Sequence, residues 1–107
     1  MGKGHIRERQ LLDILAKQGY VVHRVAGSGK GEDAICDLIA IDKQGNIQLI
    51  EVKSRKTVFY TKQYLNQLNN MIKAANSCNA KPILAVKLNY KPWQFFDLNK
   101  EIPEKVE

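Results

Sequence analysis

Glu51 and Lys53 stand two residues apart inside Leu49-Ile50-Glu51-Val52-Lys53-Ser54-Arg55, whose apolar, partly β-branched character otherwise predicts a strand. Side chains alternate faces along a strand, so both charges project the same way. A carboxylate and an ammonium where a sheet favours Val or Leu cost stability unless they are paired, solvated or bound to a metal. The plain alternative is a Glu–Lys ion pair on a solvent-facing edge. Asp37 lies in the preceding apolar run, Ala34 to Ile41, across the turn Asp42-Lys43-Gln44-Gly45-Asn46. A hairpin centred on Gln44 opposes Ile41 to Ile47, Ile39 to Leu49 and Asp37 to Glu51, all on the face that also carries Lys53. Directly opposed residues have Cβ atoms about 4.5–5.5 Å apart. Two carboxylates at that separation repel unless they share a proton or a cation. With main-chain carbonyls and water they make a hard, oxygen-rich site suited to Mg²⁺ or Mn²⁺. Glu8 is a third acid of interest. It precedes Leu11, Leu12 and Leu15 by three, four and seven residues, which puts it on the buried stripe of a helix, one turn upstream. The alternative is a first-turn acid favoured by the helix dipole.

These residues need elements to position them. Leucine spacing predicts a helix over 4–18, with Gly19 as its stop, and Tyr20 to Val25 reads as the first strand. Residues 26–33 form a polar loop with three glycines. Its Gly-Lys is not a phosphate loop of the G-x-x-x-x-G-K-[ST] kind, because Arg24 stands where the first Gly is needed and Gly31 follows the lysine. Ser28 and Lys30 still offer donors to phosphates; a plain connector is the alternative. Strands follow at 34–41 and 47–53, the latter running into the basic cluster Ser54-Arg55-Lys56. Leu65, Leu68, Met71, Ile72 and Ala75 at core spacing predict a helix over about 61–76, with Gln63 and Gln67 one turn apart on it and unassigned. A loop over 76–82, strands at 83–88 and 93–98 with a turn at 90–92, and a charged, frayed tail over 99–107 complete the chain. The pattern is α/β, one domain over 1–107.

Composition narrows the partners. Lys and Arg number 17 against 11 Asp and Glu, a net charge of +6, without a basic tail. Such a domain suits a polyanion, most often nucleic acid, although charge also serves solubility. No apolar run approaches the roughly 20 residues of a membrane span, and Met1 to Ile14 has no signal-peptide core, so the expected location is cytoplasmic. Cys36 and Cys78 are the only cysteines and lack metal-ligand spacing. Both are expected to act as small apolar residues.

The set Asp37, Glu51 and Lys53, with Glu8 entering from a helix, matches metal-assisted phosphodiester hydrolysis. The carboxylates would hold a divalent cation that polarises the phosphate and acidifies a water, and Lys53 would orient that water or offset charge developing on the phosphate. Asp…Glu-x-Lys on adjacent strands after an acidic helix resembles the PD-(D/E)XK nuclease superfamily. More narrowly, the chain resembles the archaeal-type Holliday junction resolvases. The resemblance runs through Arg7-Glu8-Arg9 and the leucines after it, Gly19-Tyr20-Val21-Val22-His23-Arg24, Ala26-Gly27-Ser28, Asp37-Leu38-Ile39-Ala40, Ile50-Glu51-Val52-Lys53-Ser54-Arg55, Leu84-Ala85-Val86-Lys87 and Trp93-Gln94-Phe95. These stretches span residues 6 to 96; Cys36 departs from the family's usual proline before the aspartate.

The resemblance implies a single restriction-endonuclease-like domain with a central mixed five-stranded sheet flanked by helices. It implies Mg²⁺, with Mn²⁺ able to substitute, and Glu8, Asp37, Glu51 and Lys53 as catalytic residues. Glu8, Asp37, Glu51 and the Val52 carbonyl would serve the metal. Arg9, Arg24 and Ser28 match family positions for DNA contact or cleavage; Arg7, Lys30, Arg55 and Lys56 are added from charge. It further implies a homodimer that cuts opposed strands of a four-way junction. The second helix and the last strand are left to supply its interface, with Phe59, Trp93 and Phe95 as candidates and core packing as the favoured role for Trp93. The location would then be the cytoplasm, or a host's cytoplasm for a viral protein. The alternatives are a nuclease of the same fold acting on another repair or restriction substrate, and a non-catalytic DNA-binding module.

Overall fold

The computed structural model describes residues 3–25 and 34–107. Helix α1 (Lys3–Lys17) leads to β1 (Val21–Arg24), β2 (Leu38–Ile41), β3 (Ile47–Arg55) and the short β4 (Phe59–Tyr60). A 3₁₀ turn (Lys62–Tyr64) runs into α2 (Leu65–Ser77), followed by β5 (Lys81–Leu88), β6 (Gln94–Asp97) and β7 (Lys105–Val106). Five strands form one mixed sheet in the order β1-β2-β3-β5-β6, with β3 and β5 parallel and the other pairings antiparallel.

Both helices end on backbone that the sequence supplies. Gly19, at φ +99°, lets Tyr20 N–H reach the Leu15 carbonyl and Gly19 N–H reach the Ala16 carbonyl, the Schellman pattern. Asn79, at φ 62°, does the same for α2, with Ala80 N–H on the Ala75 carbonyl.

The alternation of β3 divides the core. Ile50 and Val52 face α1 and pack with Leu11, Leu15, Leu38, Ala40, Ile83 and Ala85. Leu49 faces α2 and packs with Leu68, Met71, Ala75, Leu84, Val86 and Leu88. Glu51 and Lys53, two and four residues on from Leu49, share its face. The β2–β3 turn fixes the register. The Asp42 carboxylate accepts the N–H groups of Gln44 and Asn46, each at 2.9 Å, and Gly45 takes φ +86°. The pairs Ile41–Ile47 and Ile39–Leu49 follow as the hairpin symmetry predicts.

The sequence reading needs three corrections here. The tail is not frayed: β7 pairs with β4, Val106 is buried, and the Thr61 hydroxyl donates to the Pro103 carbonyl at 2.6 Å. The segment looks polar, but Pro103 and Val106 are buried and Ile102 packs against the α2-side core. Phe59, an interface candidate, is fully buried in the α2-side core and has no surface to offer a partner. Cys36 is buried as expected, whereas Cys78 is exposed, because it caps the end of α2 instead of facing the sheet. Val106→Ala is expected to lower stability by about 1–3 kcal/mol. The effect should appear as a lower urea midpoint at unchanged slope. An unchanged midpoint would contradict the packing of the tail.

Candidate active site

Strand β2 begins only at Leu38, four residues later than the predicted strand over 34–41, and this late start leaves Asp37 just outside the ladder. Asp37 N–H bonds the Ile50 carbonyl at 3.0 Å, and its own carbonyl accepts Val25 N–H at 2.9 Å. Its side chain takes over where the ladder stops: Oδ2 accepts the Val52 N–H at 2.8 Å. A carboxylate that replaces a missing strand acceptor is both satisfied and fixed against β3.

Glu51 comes from the middle of β3, between β2 and β5, where a core residue would ordinarily stand. It is 3 % exposed. Burial, then the neighbouring Asp37 charge, push its carboxyl up to about 8, against the pull of the Lys53 ammonium. Lys53 Nζ lies 3.4 Å from Glu51 Oε2 and 3.9 Å from the centroid of the Tyr64 ring. Asp37, Glu51, Val52 and Lys53 line one cavity of about 210 Å³ together with Glu8 and Gln67. The helices pack on opposite faces of the sheet, so a cavity that both Glu8 and Gln67 reach must open at a sheet corner.

A divalent ion fits this cavity in a particular way. Among the described residues, no three His, Cys, Asp or Glu side chains gather into a cage. Two carboxylates would be left to share the ion with main-chain and water oxygens, and Mg²⁺ favours that incomplete protein coordination. Ionising Glu51 beside Asp37 leaves a negative charge that Lys53 alone does not offset, and a cation would.

The family model described as archaeal Holliday junction resolvase (Hjc) matches residues 1–105. The chain belongs to that family. A crossover junction endodeoxyribonuclease Hjc of Methanocaldococcus jannaschii is 36 % identical over 88 residues, covering 81 % of this chain and 60 % of that protein. The crossover junction endodeoxyribonuclease of Sulfolobus islandicus rod-shaped virus 1 is 32 % identical over 105 residues, covering 95 % and 86 %. The crystal structure of Archaeoglobus fulgidus Hjc, described as a Holliday junction resolvase, superposes with a TM-score of 0.70 at 36 % identity, over 86 % of this chain and 73 % of that one. The sheet and its helices are thus the restriction-endonuclease-like fold of the Hjc resolvases.

In this family member, Glu8 sits on the buried side of α1, as its spacing predicts, and lines the cavity. Its carboxylate is held by Arg24, with Nε donating to Oε1 at 3.0 Å, while Arg24 Nη2 lies 2.7 Å from His5 Nδ1. Glu8 and Arg24 therefore form one unit at the cavity's edge. Arg55 is also engaged: its guanidinium donates to the Ser54 carbonyl at 2.7 Å and to the Tyr64 hydroxyl at 2.6 Å. Arg9 and Lys56 are exposed, and Arg7 pairs with Gln10 on α1. Ser28 and Lys30 lie outside the described residues.

Two features, one in the cavity lining and one beside it, escape a sequence reading of charge. Gln67 joins the lining, whereas its helical neighbour Gln63 is exposed on the 3₁₀ turn and absent from it. Tyr64 holds Lys53 and Arg55 together. Helical spacing pairs Gln63 with Gln67, but the 3₁₀ turn breaks that register, which only the folded chain reveals.

Proposed function

We propose that this chain is a divalent-metal-dependent endonuclease that resolves four-way DNA junctions by paired phosphodiester hydrolysis, with Mg²⁺ as the ion and Mn²⁺ able to substitute. The observation that carries the reading is the convergence of buried Asp37 and Glu51 with Lys53 in one small cavity at a sheet corner. The names of its relatives support the substrate.

Asp37 and Glu51 are the ion's protein ligands, joined by the Val52 carbonyl. When bound, the ion supplies Lewis-acid polarisation of the scissile phosphate and makes a water more acidic. The protein's own contributions are positional. Asp37 is held by the Val52 amide, so its carboxylate needs no reorganisation when substrate arrives. Lys53 presents an ammonium to the phosphate oxygen where negative charge accumulates. Glu8 completes the outer shell of the site through its pair with Arg24. Arg7, Arg9, Arg24, Arg55 and Lys56, with Ser28 and Lys30 from outside the described residues, bind and orient the DNA backbone.

Two copies related by a two-fold axis suit a two-fold symmetric junction. Phe95, half exposed on edge strand β6 and stacked on Trp93 at 6.3 Å, supports a dimer surface there. No helix among the described residues is long and apolar enough to cross a membrane. The proposed location is the cytoplasm of the source cell, or of the host if the source is viral.

Cleavage of a synthetic four-way junction, a flap and a linear duplex at one salt concentration tests the reading. The junction should be cut symmetrically and at least about tenfold faster than either other substrate, a difference equivalent to one unit of log rate. Equal rates on all three would refute junction selectivity.

A further inference from the structure

Lys53 is the site's only cation within the cavity lining among the described residues, and two separate contacts hold it. One is the 3.4 Å approach to Glu51. The other is the face of the Tyr64 ring, 3.9 Å away. A lysine ammonium is a point charge on a flexible four-carbon stem, so an ion pair alone leaves its direction loosely set.

Tyr64 is itself firmly fixed. It ends the 3₁₀ turn that leads into α2 and stacks on fully buried Phe59, with centroids 5.5 Å apart and an interplanar angle of 28°. Its hydroxyl accepts from Arg55 Nη2 at 2.6 Å. Arg55 in turn donates to the Ser54 carbonyl on the strand that carries Lys53. A continuous set of contacts therefore ties the ammonium both to β3 and to the start of α2.

We propose that Tyr64 is a positioning residue: its ring face holds the Lys53 ammonium in the direction from which it meets the scissile phosphate. This rests on the role proposed above for Lys53. The ring contributes by its face, through the negative quadrupole, and its hydroxyl serves only to anchor the ring.

The test is the single-turnover rate of junction cleavage, with junction affinity measured in parallel without divalent metal. The variants are Tyr64→Phe, Tyr64→Met, Lys53→Met and the full chain carrying pentafluorophenylalanine at position 64. Phenylalanine keeps the ring face and should retain most of the rate. Methionine should slow cleavage about tenfold at unchanged junction affinity, between the values of an exposed and a desolvated cation–π contact. Pentafluorophenylalanine keeps the shape that packs on Phe59 but reverses the quadrupole, so it should behave like methionine. It also keeps the test decisive if Tyr64→Met fails to fold. A pentafluorophenylalanine protein as fast as Tyr64→Phe would overturn the inference, as would a folded Tyr64→Met with the wild-type rate. Lys53→Met separates the two levels. Wild-type cleavage in that variant would refute the proposed site itself, whereas loss there with a flat position-64 series refutes only the role of Tyr64.

Discussion

Glu51→Gln is expected to lower junction cleavage by on the order of 10³-fold or more while junction binding survives. The substitution keeps the volume of a side chain buried in the middle of β3, so the core should close around it as before. It removes the charge that a divalent ion needs. Below about pH 8 the ion-free Glu51 carboxyl already holds its proton, so a neutral amide of the same volume should leave the ion-free fold about as stable as the wild type. The variant therefore separates catalysis from folding. Thermal unfolding, gel-shift affinity and cleavage rate measured on one preparation check it. Continued cleavage at a comparable rate would mean that Glu51 does not serve the ion, and equal loss of binding and cleavage would point to misfolding.

The second large effect concerns pH. In the ion-free protein, burial and the Asp37 charge raise the Glu51 carboxyl from its ordinary 4.5 to about 8. Between those values the folded chain holds a proton that the unfolded chain has released, so ion-free stability should fall as pH rises from about 4.5 toward about 8. A divalent ion needs the same proton gone. Well below about pH 8, ion affinity should rise about tenfold per pH unit and then level off, giving about a fiftyfold gain between pH 6 and 8. Calorimetric titration with Mn²⁺ in two buffers of different ionisation enthalpy should find close to one proton released per ion near pH 6.5. Affinity independent of pH, with no proton released, would remove Glu51 from the ligand set.

How much of this could be read from the residues depends on the range of the forces involved. The Asp37–Glu51 juxtaposition was legible because the Asp42–Asn46 turn is short and self-contained. Its side-chain hydrogen bonds and the φ of Gly45 set a symmetric register, and register carries to the strand ends. The burial of Glu8 was legible from its spacing to Leu11 and Leu15, which is also local. The pairing of Glu8 with Arg24 was not. It depends on how α1 lies across β1, and a sequence reading sees only an arginine ahead of a polar, glycine-rich stretch. The tail was misread for a similar reason. A two-residue strand leaves almost no periodicity to detect, and Val106 earns its place only because β4 and Phe59, more than forty residues earlier, present a surface to it. Tyr64 lies between these cases. Its position at the start of a helix was visible, but its partnership with Lys53 arises where the 3₁₀ turn meets the far end of β3.

The central claim is that Asp37 and Glu51 hold one divalent ion between β2 and β3. Crystals soaked in Mn²⁺ above pH 8 and measured for anomalous scattering test it most directly. A strong peak is expected within bonding distance of both carboxylates and beside the Val52 carbonyl. A saturating peak elsewhere on the molecule, with these two side chains bare, would contradict it.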